Sequence, residues 1–183
     1  TRRSSDLHEL TGGEYAERRE QCERVAQHLG VPALRDAGPE QLDAARGQLD
    51  DVLYRRARHV INENARTLDA ARAFSSGQWG RAGELMVASH ASLRDDFEVS
   101  CDELDLLVDL ALEVGEKGGV LGSRMTGGGF GGCTVTLAHR NAVSDIGAVI
   151  GRKYRERSGI EPSMFVTRPA RGAHVLDAGN FDD

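Results

Sequence analysis

Residues 127–132 read Gly-Gly-Gly-Phe-Gly-Gly, and eight of the fifteen residues from Gly118 to Gly132 are glycine. Backbone this bare suits one kind of chemistry. Glycine tolerates positive φ and lets successive N–H groups converge on an anion, so the segment can line a phosphate site that side chains would obstruct. It equally suits a tight turn between two strands, and the glycines alone leave both readings open. Ser123, Arg124 and Thr126 stand just before the run. The hydroxyls could donate to a ligand or simply satisfy turn backbone, and Arg124 could face a phosphate or a carboxylate such as Asp105.

Two familiar phosphate loops fail on context. The string satisfies G-x-G-x-x-G at Gly127, Gly129 and Gly132, but a dinucleotide fingerprint needs a helix at the last glycine. Instead Cys133, Val135 and Leu137 alternate with Thr134, Thr136 and Ala138, the period of a strand. A P-loop needs Gly-Lys-Ser/Thr, and the only lysines are Lys117 and Lys153. What remains is a hairpin of strand, glycine bend and strand.

The elements that must position this hairpin are mostly helical. Tyr15, Cys22, Val25, Ala26 and Leu29 recur at helical spacing, and Gly30 with Pro32 ends that stretch. A longer stripe runs through Leu49, Val52, Leu53, Ala57, Val60, Ile61, Leu68 and Ala71 to stop near Ser75-Ser76-Gly77. Trp79, Ala82, Leu85, Met86 and Leu93 predict a third helix. Ser100 is placed to N-cap a fourth, with Glu103 as capping-box partner and Leu104, Leu107, Val108 and Ala111 inward. Beyond the hairpin, Asn141 can cap a helix carrying Val143, Ile146, Val149, Ile150 and Tyr154; Ser163 to Thr167 and Ala173 to Leu176 then read as short strands. Four strands with helices against them predict an α+β layer in a single domain over residues 1–183.

Composition bounds the partners. The 183 residues carry a net charge of −6, which argues against a general nucleic-acid binder, although 21 of the 23 basic residues are arginine, read here mostly as solvated helix-face charges. No apolar run has membrane-spanning length and the start is charged, so a cytoplasmic, membrane-free protein is expected. Cys22, Cys101 and Cys133 are odd in number and lack metal-ligand spacing, which predicts reduced thiols and no metal site. Asp95-Asp96 have no third ligand at fixed spacing and read as solvated or capping residues. His59 and His90 read as helix-packing residues.

The stretch Leu121-Gly122-Ser123-Arg124-Met125-Thr126-Gly127-Gly128-Gly129-Phe130-Gly131-Gly132-Cys133 resembles the third signature motif of the galactokinases, members of the GHMP family of small-molecule kinases. Ser89 to Asp105 resembles the family segment preceding that motif. Glu14-Tyr15-Ala16-Glu17-Arg18-Arg19-Glu20-Gln21-Cys22 and Arg56-Ala57-Arg58-His59-Val60 are similar as well. The resemblance covers nearly the whole chain. It implies a GHMP-kinase C-terminal-type domain with a ferredoxin-like antiparallel sheet, and a part in ATP-dependent phosphorylation of galactose to galactose 1-phosphate with Mg²⁺ bridging phosphates. The family's arginine-containing first motif, serine-rich second motif and sugar-facing aspartate do not occur here. The chain therefore resembles a C-terminal portion with no catalytic residue of its own, expected to be silent without the N-terminal domain that holds most of the ATP and Mg²⁺ site. Thr1 fits a fragment or a processed start.

Two kinds of site residue carry over from the resemblance. Gly127, Gly128, Gly129 and Gly131 would wall the phosphate pocket, so that Gly129→Val should cut turnover and leave the fold largely intact. Tyr15, which spacing alone reads as a core aromatic, aligns with a tyrosine that contacts galactose. Two departures stand out. Asp102 occupies a position where many galactokinases have proline, and Gly115-Glu116-Lys117-Gly118 lengthens the turn before the hairpin. Relatives of other function keep alternatives open: ligand-responsive transcriptional regulators, N-acetylgalactosamine kinases, or a module completing a site on another polypeptide.

Overall fold

The computed structural model describes residues 8–168. Helix α1 (His8–His28) leads through two 3₁₀ turns and a short α2 (Pro39–Ala44) to the long α3 (Asp51–Ser75), which is N-capped by Asp50 accepting from the Leu53 N–H at 2.8 Å. Helix α4 (Trp79–Ser92) returns along α3 and ends in a π-helical turn, Leu93–Phe97. Helix α5 (Asp102–Val114) and a 3₁₀ turn at Glu116–Gly118 precede strand β1 (Val120–Thr126), strand β2 (Cys133–Ala138) and helix α6 (Val143–Ser158).

The helices bury most of the face their apolar residues mark, although Val52, Leu68, Ala71 and Trp79 of the expected stripes stand exposed. Val25 and Ala26 of α1 pack with Leu34, Leu42, and Leu53, Tyr54, Ala57 and Ile61 of α3. Leu110 and Ala111 of α5 meet Val120 and the Ile146, Ile150 and Tyr154 stripe of α6. A third cluster, Val99, Leu104 and Met125, lies directly under the glycine bend. Burial of such side chains contributes roughly 1.5–3 kcal/mol each relative to exposure, which fixes the helices on the hairpin.

The strands pair antiparallel, Ser123 opposite Thr136 and Thr126 opposite Cys133, with an irregularity between Val120 and Gly122. Helix α4 lies unusually close to β1 there. A Cβ on Gly83 would overlap the Leu121 carbonyl, and one on Gly122 would overlap the backbone of Gly83. Near its other end, the Met125 N–H donates to His90 Nδ1 at 3.3 Å, so a side chain of α4 rather than a strand takes that group.

Several local expectations need correction. The α+β class holds, and the sheet formed by the described residues is antiparallel and two-stranded. Residues 163–167 are irregular and have no ladder partner among the described residues; Phe165 and Val166 are exposed. Ala173 to Leu176 lie outside the described residues. The N-cap of α5 is Cys101, not Ser100, whose hydroxyl donates to Asp105 instead. Asn141 does not cap α6, which starts after a 3₁₀ turn at Arg140–Ala142 closed by Ala142 N–H to His139 carbonyl. Asp102 is the first residue of α5, where proline and aspartate are both suited, so that departure leaves the helix intact.

Candidate functional site: the glycine bend and its arginine-clamped support

The bend joining β1 to β2 is open at its tip and tied down at its base. Thr126, Gly127 and Gly128 are exposed, and a Cβ at Gly127, Gly128 or Gly131 would meet nothing within 4 Å. Gly129 differs. Its φ is +89°, and a Cβ there would overlap the Val99 carbonyl and come within 2.7 Å of the Val99 Cβ. The next residue, Phe130, donates its N–H to the same Val99 carbonyl at 2.7 Å and holds φ +59°, which a side-chain-bearing residue seldom adopts. The expectation that Gly129→Val would spare the fold is therefore corrected. Gly129 is required by its own domain.

Val99 is held in turn by the turn before it. Its N–H donates to the Leu93 carbonyl at 3.1 Å. Around Asp95 to Glu98 gather Arg18, Arg55, Arg56 and Arg58. Arg56, 2% exposed, donates to the Asp96 carbonyl, the Glu98 carboxylate and Gln21 Oε1. Arg55 pairs with Glu98 and donates to the Asp95 carbonyl, and Arg58 pairs with the Asp96 carboxylate. Hydrogen bonds from Arg56 and then Arg55 hold the Glu98 carboxyl down at about 2. Sequence predicts that most arginines are solvated helix-face charges and that Asp96 is solvated or capping; Arg56 and Asp96 are instead buried. Arg56 lies between Leu53, Tyr54 and Ala57 on the apolar stripe of α3, which is the signal that sets it apart from a surface cation.

Two histidines complete the support. His59 stacks on Phe97 with ring centroids 4.5 Å apart, and its Nδ1 lies 2.9 Å from Ser92 Oγ. Ser92 gives its one proton to Asp96 Oδ2 at 3.1 Å, so His59 must be the Nδ1–H donor. Burial pushes the His59 pKa down to about 4. His90 accepts from Met125, which leaves its proton on Nε2, 3.2 Å from Asp105 Oδ1 but off the line of a hydrogen bond; burial lowers its pKa as well.

The other sequence-selected residues separate clearly. Ser123 is fully buried, with its hydroxyl on the Val135 carbonyl at 3.3 Å and Thr136 Oγ1 at 2.9 Å. Arg124 turns to Glu63 at 3.3 Å, not to Asp105. Glu63 also receives Ser89 and Arg66. Tyr15 is 64% exposed on α1 and so is no core aromatic in this chain. It lies one turn before Arg18, on the helix face that reaches the bend, because residues i and i+3 share a face. Cys133 is an exposed free thiol beside the bend, whereas burial raises the Cys22 thiol to about 11. No helix among the described residues is long and apolar enough to cross a membrane.

The helices packed on this antiparallel hairpin, with its bare glycine bend, lie in a region that has a family match: residues 70–156 match the family model described as GHMP kinases C terminal. More particularly, the chain is similar to the galactokinase of Lactococcus lactis, whose crystal structure is a complex with galactose. The two are 41% identical with a TM-score of 0.73, over 82% of this chain and 38% of the other. The chain thus spans less than two-fifths of that galactokinase.

Proposed function

We propose that this chain supplies the C-terminal part of a galactokinase, in which ATP phosphorylates the anomeric hydroxyl of galactose. The observation that carries the reading is the open tip of the bend. A Cβ at Gly127, Gly128 or Gly131 would meet open space; Gly127 at φ +93° and Gly131 at φ +129° are favoured as glycine by their own backbone, but neither space nor backbone in this domain requires glycine at Gly128. An anion approaching the backbone N–H groups from outside would. Transfer of this kind depends on positioning and on charge stabilisation, which a bare wall closed by a second domain provides. Tyr15 offers a hydroxyl for a sugar oxygen from the same side of the molecule.

The residues fit a phosphate wall and do not fit a metal centre. Among the described residues no group of three His, Cys, Asp or Glu side chains is arranged to hold a cation, so Mg²⁺ in this reading is carried with the ATP phosphates and by the N-terminal domain. The chain is read as the cytoplasmic, phosphate-facing half of a cleft and as inactive alone.

A coupled ADP-release assay tests the proposal. The chain alone should give no galactose-dependent turnover, and the complete polypeptide should. Within it, Gly128→Val should lower kcat by about tenfold or more, as loss of transition-state positioning does, while thermal stability stays unchanged. Tyr15→Phe should weaken galactose binding. Unchanged kcat in the first variant rejects the wall, and unchanged galactose affinity in the second removes Tyr15 from the sugar site.

A further inference from the structure

We propose that Arg18 is a positioning residue that holds the Tyr15 end of α1 in register with the glycine bend. What those two parts do rests on the galactokinase reading above; their coupling rests on geometry alone. From residue 13 to residue 20 of α1, every residue except Arg18 is exposed, so the guanidinium is what docks this part of the helix. Its side chain is 11% exposed. Nε donates to the Phe97 carbonyl at 2.7 Å and Nη2 to the Glu98 carbonyl at 3.0 Å, while the guanidinium carbon lies 5.9 Å from the Phe130 ring centre. A looser contact joins Nη1 to Glu17 at 3.6 Å.

Those targets are not ordinary backbone. Glu98 at φ +53° and Phe130 at φ +59° are the two non-glycine residues with positive φ among the described residues; Arg18 donates to the carbonyl of the first and lies over the ring of the second. Left-handed conformations of such residues persist when the surroundings over-determine them. Between the two lies Val99, whose carbonyl receives the Phe130 N–H. One side chain therefore spans the helix, the strap at 97–99 and the bend. Lysine would keep the charge but not the fork that reaches two successive carbonyls.

Amide exchange followed by NMR on the whole 183-residue chain tests the coupling without reference to activity. Arg18→Lys should speed exchange of the Phe130 amide by about tenfold, the loss of one charge-assisted hydrogen bond, and leave the α3 amides of Ala57 and Ile61 unchanged. In a Phe130→Gly background, where neither ring nor strained φ remains, the same substitution should accelerate exchange at position 130 much less. No change at Phe130, an equal effect in both backgrounds, or a rise shared by all core amides overturns the proposal. In the complete polypeptide, Arg18→Lys should raise KM for both galactose and ATP severalfold, whereas a smaller folded fraction would lower kcat and move neither KM. Absence of turnover in the unsubstituted polypeptide would count against the kinase reading only, because the exchange result stands apart from it.

Discussion

The carbonyl oxygen of Val99 receives the Phe130 N–H at 2.7 Å and also bars any side chain from Gly129. One atom of the segment between the π-helical turn and α5 thus fixes the base of the glycine bend, while the tip at Gly127 and Gly128 stays free. The bend contains glycines of two kinds, those its own fold needs and those it does not.

Gly129→Ala should destabilise the chain by about 1–3 kcal/mol, from positive φ and overlap with Val99 together. Gly128→Ala, which has open space and no positive φ, should change stability by less than about 0.5 kcal/mol. Denaturant titration of the two variants side by side measures the difference, and equal losses would show that the bend is not anchored at Val99.

Gly83→Ala should be more damaging than its position on a helix implies, since alanine is the better helix former. The added methyl overlaps the Leu121 backbone. A loss of about 2 kcal/mol or more, seen as a drop in Tm of roughly 5 °C or more, is expected. A rise in Tm would mean that α4 does not lie against β1 in this way.

Stability should fall as pH drops from about 6.5 to about 4, because the unfolded chain protonates His59 over that window and the folded chain resists until about 4. The sign follows from a lowered basic pKa: both states are neutral above 6.5, and below it the unfolded state binds the extra proton. The full effect is on the order of 3 kcal/mol. His59→Asn, which can still donate to Ser92, should flatten this part of the profile in urea titrations at successive pH values.

A second loss should follow between about pH 4.5 and 2, this time from Glu98. Its carboxyl is held down by Arg56 and Arg55, so its stabilising contribution is present above the unfolded pKa and disappears as pH falls through about 2. Glu98 is partly exposed, and salt should weaken the effect. Glu98→Gln should remove the low-pH slope and lower stability at neutral pH; an unaltered slope would assign acid sensitivity elsewhere.

Much of the architecture was legible in the chain. The stripes of α1, α3, α4, α5 and α6 and the alternation of β2 are local patterns, and helix or strand period acts within a few residues. The glycine hairpin was legible for the same reason. Less was legible where a residue's role depends on a partner far along the chain. Arg18 reaches Phe97 and Glu98 some eighty residues away, so its neighbours could not tell it from a surface cation; Arg56 was marked by its place on the apolar stripe of α3, but its partners Asp96 and Glu98 lie too far along the chain to be read from that stripe. Ser100 and Asn141 have good capping chemistry, yet Asp105 takes the Ser100 hydroxyl and a 3₁₀ turn removes Asn141 from the cap position.

By itself, then, the amino-acid order determined the helices, the hairpin and the bare bend between its strands, because those follow from side-chain period and from glycine's missing Cβ. Only the tertiary structure decided which glycines face a neighbour and which face open space, that Ser123 is spent inside the sheet, and that Tyr15 stands exposed beside an arginine gripping the bend. Those outcomes depend on which backbone comes within about 3 Å of which other backbone. That distance is settled by packing between helices and strands widely separated in the chain, and no local pattern encodes it.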